Sequence, residues 1–182
     1  MIRPTFAPGS LSSRRHKRGV LIPILTPFGL GLIALPALDF HAPLLVWNAN
    51  ASAPIGLYRV LAGAATRGDL VLVYTPDSIR QMANERRYLP ANVPMIKRIA
   101  GTKGDVICAV GDAIFINGRL VAERLVSDGL GRLLSRWGGC DLLNGDEAFL
   151  LIEGVANSFD SRYFGPVRTR AIIAKLAPLW VD

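Results

Sequence analysis

Histidine is the side chain most often used as a general base near neutral pH, and this chain has two, His16 and His41. Both lie near the N-terminal end, outside the β-prone stretches that follow, so a Ser-His-Asp triad is not expected. There is no H-E-x-x-H, no C-x-x-C, no G-x-x-x-x-G-K, and no G-x-G-x-x-G after a strand-like run. Metal and nucleotide chemistry therefore have no support, and no metal and no cofactor are expected. Lysine is scarce: Lys17, Lys97, Lys103 and Lys175 are the four lysines among 21 basic residues. Lys97 sits inside an apolar run, Pro94-Met95-Ile96-Lys97-Arg98-Ile99-Ala100, beside a second cation. A strand alternates its faces, so one of Lys97 and Arg98 points to the core side. A desolvated lysine gives up its proton more readily, which makes a neutral amine available as a base. The bland alternative is a half-exposed strand with two solvated cations.

Two other segments carry unusual residue types. Asn48-Ala49-Asn50-Ala51-Ser52-Ala53-Pro54-Ile55-Gly56-Leu57-Tyr58 sets a serine between alanines, where its hydroxyl is sterically open. Taken alone it is an ordinary linker with a fixed-φ proline and a glycine. Asn157-Ser158-Phe159-Asp160-Ser161-Arg162-Tyr163-Phe164-Gly165-Pro166 packs polar and aromatic residues closely. Taken alone it is a loop held by an Asp160–Arg162 interaction.

The elements that must position these residues are mostly strands. Gly68-Asp69, Gly104-Asp105, Gly111-Asp112 and Gly145-Asp146 are turn signals. Most precede a short β-prone run: Leu70 to Tyr74, Val106 to Val110, Ile114 to Ile116, and Ala148 to Ile152. Asn117-Gly118, between Ile114-Phe115-Ile116 and Leu120-Val121, predicts a type I′ hairpin. Met95 to Ala100 and Ala171 to Leu176 add two strands, and Asp77 to Arg87 reads as a helix. Many short, closely spaced strands predict a mainly β, antiparallel domain rather than βαβ units.

At 182 residues the chain has room for one ordinary domain with an appendage and none for a large multidomain enzyme. Its 51% hydrophobic and 19% charged residues direct attention to a membrane segment. Gly19 to Leu38 is 20 residues without a charge, directly after the basic cluster Arg14, Arg15, His16, Lys17, Arg18. That length matches a bilayer core of about 30 Å. Basic flanks stay in the cytoplasm, so residues 1–18 are expected inside, 19–38 across the membrane, and 48–182 outside. Pro23, Pro27 and Pro36 weaken such a helix, and a cleaved signal peptide or a buried hairpin are the alternatives. Of the net charge of +7, residues 1–18 carry +5, and the remainder has 16 basic against 14 acidic residues. A nucleic-acid face would need its charge on the folded part, so no nucleic-acid partner is expected. Cys108 and Cys140 are either a disulfide, in an oxidising compartment, or two small buried hydrophobes.

The segments together resemble one family. A membrane anchor, then Ser52-Ala53-Pro54-Ile55-Gly56-Leu57-Tyr58, then hydrophobic-Lys97-Arg98 ending in Gly104-Asp105, then Asp160-Ser161-Arg162-Tyr163-Phe164-Gly165 is the layout of type I signal peptidases. The wording of the first box is most similar to the conjugative-transfer (TraF-type) branch, and the resemblance covers about residues 48 to 175. In the main bacterial branch the nucleophile precedes the proline by three positions, which here is Ala51; Ser52 has the spacing of the transfer branch.

The resemblance implies Ser52 as nucleophile, Lys97 as general base, and the Ser52 N–H with the Asn50 side chain as oxyanion donors. Lys97 must then titrate well below the ordinary lysine value of about 10.4. Asp160 and Arg162 are implied as structural support, with direct chemistry by Asp160 as the lesser alternative. The implied fold is an antiparallel β domain of the signal peptidase type with an N-terminal membrane-anchor helix, lying against the periplasmic face of the bacterial inner membrane. Its partners would be membrane lipid and an exported precursor or prepilin with small residues before the cut. The rival reading is a non-catalytic envelope subunit that binds pilin or secretion-channel proteins.

Overall fold

The run Leu70-Val71-Leu72-Val73 has no polar alternation, and all four side chains are buried. A strand covered on both faces belongs inside a sheet with packing on each side. Val71 and Val73 meet Met95, Ile99, Leu150 and Val167 on one face. On the other, Leu70 and Leu72 meet Ala53, Tyr58, Ile96 and Leu176. The computed structural model describes residues 43–182. The tail expected at 1–18 and the anchor expected at 19–38 lie outside the described residues, among which no helix is long and apolar enough to cross a membrane.

Around that central strand the chain forms β1 (Leu45–Asn48), β2 (Gly56–Leu61), β3 (Leu70–Val73), α1 (Asp77–Glu85), β4 (Met95–Gly101), β5 (Val106–Val110), β6 (Ala113–Ile116), β7 (Arg119–Glu123), β8 (Gly139–Leu142), β9 (Glu147–Leu151), α2 (Ser161–Phe164), β10 (Val167–Arg168) and β11 (Ile172–Val181). A seven-stranded sheet runs β1-β2-β11-β3-β4-β9-β10, and a four-stranded sheet runs β7-β6-β5-β8. Neighbouring strands pair antiparallel throughout. The expected mainly β, antiparallel class is what the described residues form. Strand β9 serves both packing zones. Its Ala148 and Leu150 join the cluster around Val71, while Phe149 and Leu151 pack on Ile107, Ile114 and Ile116 of the small sheet.

Turn chemistry sets the strand ends. Gly68, Gly104 and Gly111 have positive φ, as does the pair Asn117 (51°) and Gly118 (77°) in the β6–β7 hairpin. Gly56 combines a φ of +145° with close packing, because a Cβ there would run into the Trp180 carbonyl and the Val181 Cα of β11. The expected helix begins at Asp77 and stops at Glu85, two residues short of Arg87. The last strand runs from Ile172 to Val181, beyond the Leu176 expected, and β1, β2, β8 and β10 fall where no strand was read. Cys108 and Cys140 face each other across β5 and β8 and form a disulfide, with Cα atoms 4.1 Å apart.

Candidate active site

Strand β4 answers the either-or posed by Lys97 and Arg98. Lys97 pairs with Val71 of β3 and is buried, 2% exposed, while Arg98 points to solvent and donates to the Gly68 carbonyl. The reading of two solvated cations is therefore overturned. Burial pushes the Lys97 ammonium down to about 8; the Asp160 charge works against that shift and the Arg162 charge adds to it.

Ser52 lies in the loop that joins β1 to β2, a hairpin whose register closes at Asn48↔Gly56. The segment that reads alone as a linker is thus the turn of a paired hairpin. Its neighbour Ala53 is buried in the core cluster with Tyr58 and Leu72, which fixes the loop against the sheet. The Tyr58 hydroxyl donates to the Pro54 carbonyl at 2.6 Å. Ser52 Oγ stands 3.1 Å from Lys97 Nζ. While the amine is charged, it donates to the hydroxyl. Once neutral, its lone pair can accept the hydroxyl proton across the same contact, which is the requirement for activating a serine.

The third segment supplies residues that sequence reasoning gave no individual role. Ser158, 1% exposed, accepts from Lys97 Nζ at 2.8 Å, so the amine is held between two hydroxyls. Nothing in its spacing distinguishes Ser158 from Ser161, whose Oγ instead accepts the Leu150 N–H at 3.0 Å. Asp160 caps α2 by accepting the Arg162 N–H at 3.2 Å. The expected Asp160–Arg162 interaction is present as a two-pronged ion pair, Nε to Oδ1 at 2.8 Å and an NH2 contact to Oδ2 at 3.1 Å. Both residues are buried, and the guanidinium also donates to the carbonyls of Glu123, Ile152 and Ala156. Arg162 thus ties the ends of β7 and β9 to the loop that carries Ser158.

Asn50 behaves differently from its expected part. Its Oδ1 accepts the Ser52 N–H at 2.9 Å. In this state the two groups implied as oxyanion donors bond to each other, through Asn50 Oδ1 and the Ser52 N–H.

Ser52 and Lys97 open into a mainly apolar cleft of about 650 Å³. Leu72, Met95, Ile96, Leu89, Leu125 and Phe159 are among its lining residues. The loop after β7 closes one side. Asp128 of that loop accepts the Tyr88 hydroxyl at 2.6 Å and pairs with Arg132 at 2.7 Å, while Arg86 donates to the Leu133 carbonyl at 2.6 Å. Among the described residues no group of three or more His, Cys, Asp or Glu side chains could hold a metal ion.

Known proteins share much of this chain. A plasmid transfer protein TraF of Escherichia coli is 30% identical over 161 residues, which is 83% of this chain and 90% of that one. A conjugal transfer protein TraF of Agrobacterium tumefaciens (strain 15955) is 32% identical over 178 residues, 91% and 97% of the two chains. The crystal structure of a signal peptidase I from Enterococcus faecalis V583 superposes only loosely, with a TM-score of 0.38 at 20% identity over 63% of this chain and 98% of that one. The family model described as signal peptidase, peptidase S26, matches residues 19–180, and with the transfer-protein relatives it makes this chain a member of the S26 signal peptidase family.

Proposed function

We propose that this protein is a membrane-anchored serine endopeptidase that cuts exported precursors in conjugative transfer, with Ser52 as nucleophile and Lys97 as its base. The observation that carries the reading is the 3.1 Å contact between Ser52 Oγ and a buried lysine titrating near 8. Neutral Lys97 takes the proton as Ser52 Oγ attacks the scissile carbonyl. The acyl bond forms as the peptide bond breaks, the same amine delivers the proton to the leaving nitrogen, and water then releases the acyl group. Ser158 holds the amine in line. The Ser52 N–H stabilises the oxyanion once Asn50 Oδ1 has left it. Asp160 and Arg162 act as structural support.

In this reading residues 19–38 anchor the chain in the inner membrane and residues 48–182 face the periplasm. The half-exposed or exposed Leu44, Leu45, Trp47, Leu179 and Trp180, with the two indoles 6.3 Å apart, support a membrane-facing edge beside the cleft. An extended precursor with small residues before the cut would fit the cleft as an added strand. Membranes carrying wild type are expected to process a candidate prepilin, while Ser52→Ala, Lys97→Ala and the double variant fail equally, because the two residues act as a unit. Processing by Ser52→Ala would show the chain to be an envelope subunit that another enzyme accompanies.

A further inference from the structure

Asn48 ends β1 and is 8% exposed. The loop that follows wraps around its carboxamide. Asn48 Nδ2 donates to the carbonyls of Asn50 at 2.9 Å, Ala53 at 3.0 Å and Pro54 at 2.9 Å. Asn48 Oδ1 accepts the Asn50 N–H at 3.1 Å. These partners fix the orientation of the amide: turned over, its oxygen would face three carbonyls and its NH2 an N–H. Within residues 49–54 the loop makes one backbone bond of its own, from the Ala53 N–H to the Asn50 carbonyl at 3.4 Å. The side chain therefore supplies the donors that a longer ladder would have given. No near relative can replace it. Aspartate has the shape but no donor, alanine has neither, and glutamine is a methylene too long for the enclosure.

We propose that Asn48 is a positioning residue whose carboxamide holds the 49–55 loop in the form that brings Ser52 Oγ to Lys97. The inference rests on the serine–lysine reading above, and it concerns a side chain that bonds to neither Ser52 Oγ nor Lys97. Displacing a reacting atom by about 1 Å costs on the order of a hundredfold in rate, so that is the loss expected in kcat. The Lys97 amine keeps its Ser158 partner, so the pH at which activity rises should stay in place.

The test uses full-length protein in detergent and a peptide with alanine at the first and third positions before the cut. Asn48→Ala should lower kcat about a hundredfold with KM changed by less than about twofold. Asn48→Asp should be worse still, because its carboxylate faces three carbonyl oxygens. A side chain that merely fills space would give the opposite order, with the isosteric aspartate the milder change, and that order would overturn the proposal. So would wild-type kcat in both variants while Ser52→Ala is dead, a result that spares the serine–lysine reading. Processing by Ser52→Ala would remove both. Should Asn48→Asp fail to fold, nitrogen NMR on the wild-type chain decides: strongly protected Asn48 side-chain amide protons support the clamp, and free-amide exchange refutes it.

Discussion

A lysine that is 2% exposed weakens the fold whenever it carries its charge, and Lys97 pairs with hydroxyls rather than a carboxylate. Its folded value of about 8 lies below the 10.5 of an unhindered lysine, so between those pH values the unfolded chain holds a proton that the folded one lacks. The contribution to stability is therefore least favourable below pH 8 and improves as pH rises toward 10.5. Lys97→Met should raise stability at pH 7, by at most about 3 kcal/mol, while abolishing processing; urea unfolding at pH 7 and 10 checks both the gain and its disappearance. Activity of the wild type should climb with pH through about 8, since only the neutral amine accepts a proton. Lys97→Arg should be inactive at every pH because a guanidinium keeps its proton. The pattern of residues 95–100 says that one of two cations turns inward. Which one is decided by the pairing of Lys97 with Val71, and strand register is not written locally. The positions of Ser158 and Asn48 were legible only as polar residues near turns, since their partners lie up to 61 residues away or in a loop whose path depends on β11.

At the scale of elements, short helix α2 depends on its first charged pair. Removing one partner of a buried ion pair leaves the other stranded, at a cost of about 3–5 kcal/mol. Arg162→Leu should therefore unfold at much lower urea than wild type. Asp160→Asn, where it folds, should also move the rise of activity to lower pH, because the aspartate charge raises the Lys97 value and its loss leaves burial and the Arg162 charge unopposed. Gly56→Ala tests the seam between β2 and β11. A methyl there meets backbone in a conformation that disfavours a side chain, so a loss of more than about 1 kcal/mol is expected by denaturant titration. Glycine-aspartate and asparagine-glycine turns mark β3 through β7 well, because turn chemistry is local. Strands β1 and β8 are different. Leu45-Val46-Trp47-Asn48 carries apolar residues on its exposed face as well as its covered one, and Gly139-Cys140-Asp141-Leu142 is exposed throughout, so neither sequence shows an apolar–polar alternation for a periodicity argument to find.

For the molecule as a whole, the disulfide is the feature tied to compartment. Cys140 is exposed and Cys108 partly so, and the bond staples β5 to β8 at the outer part of the small sheet. Disulfides persist in oxidising surroundings and are rare in the cytosol. If residues 48–182 are exported, alkylation and mass analysis of the native chain should find no free thiol, whereas a version retained in the cytosol should show two. Replacing both cysteines with serine should cost about 3 kcal/mol in denaturant stability and leave processing intact, since neither cysteine lines the cleft. The antiparallel class was legible because every run is short. The order of strands was not, since β11 enters between β2 and β3, a placement that no nearest-neighbour rule along the chain suggests.

That insertion bears on when, during synthesis, Ser52 and Lys97 can first meet. The hairpin with Ser52 consists of β1 and β2, and Lys97 belongs to β4 beyond β3. Within the large sheet the two halves are joined only through β11, which is made after every other described strand. A growing chain that already contains Ser52, Lys97 and Ser158 has no completed sheet to bring them together. The sheet does not hold Ser52 beside Lys97 until β11 is in place, and deleting that strand should separate them although none of its residues lines the cleft.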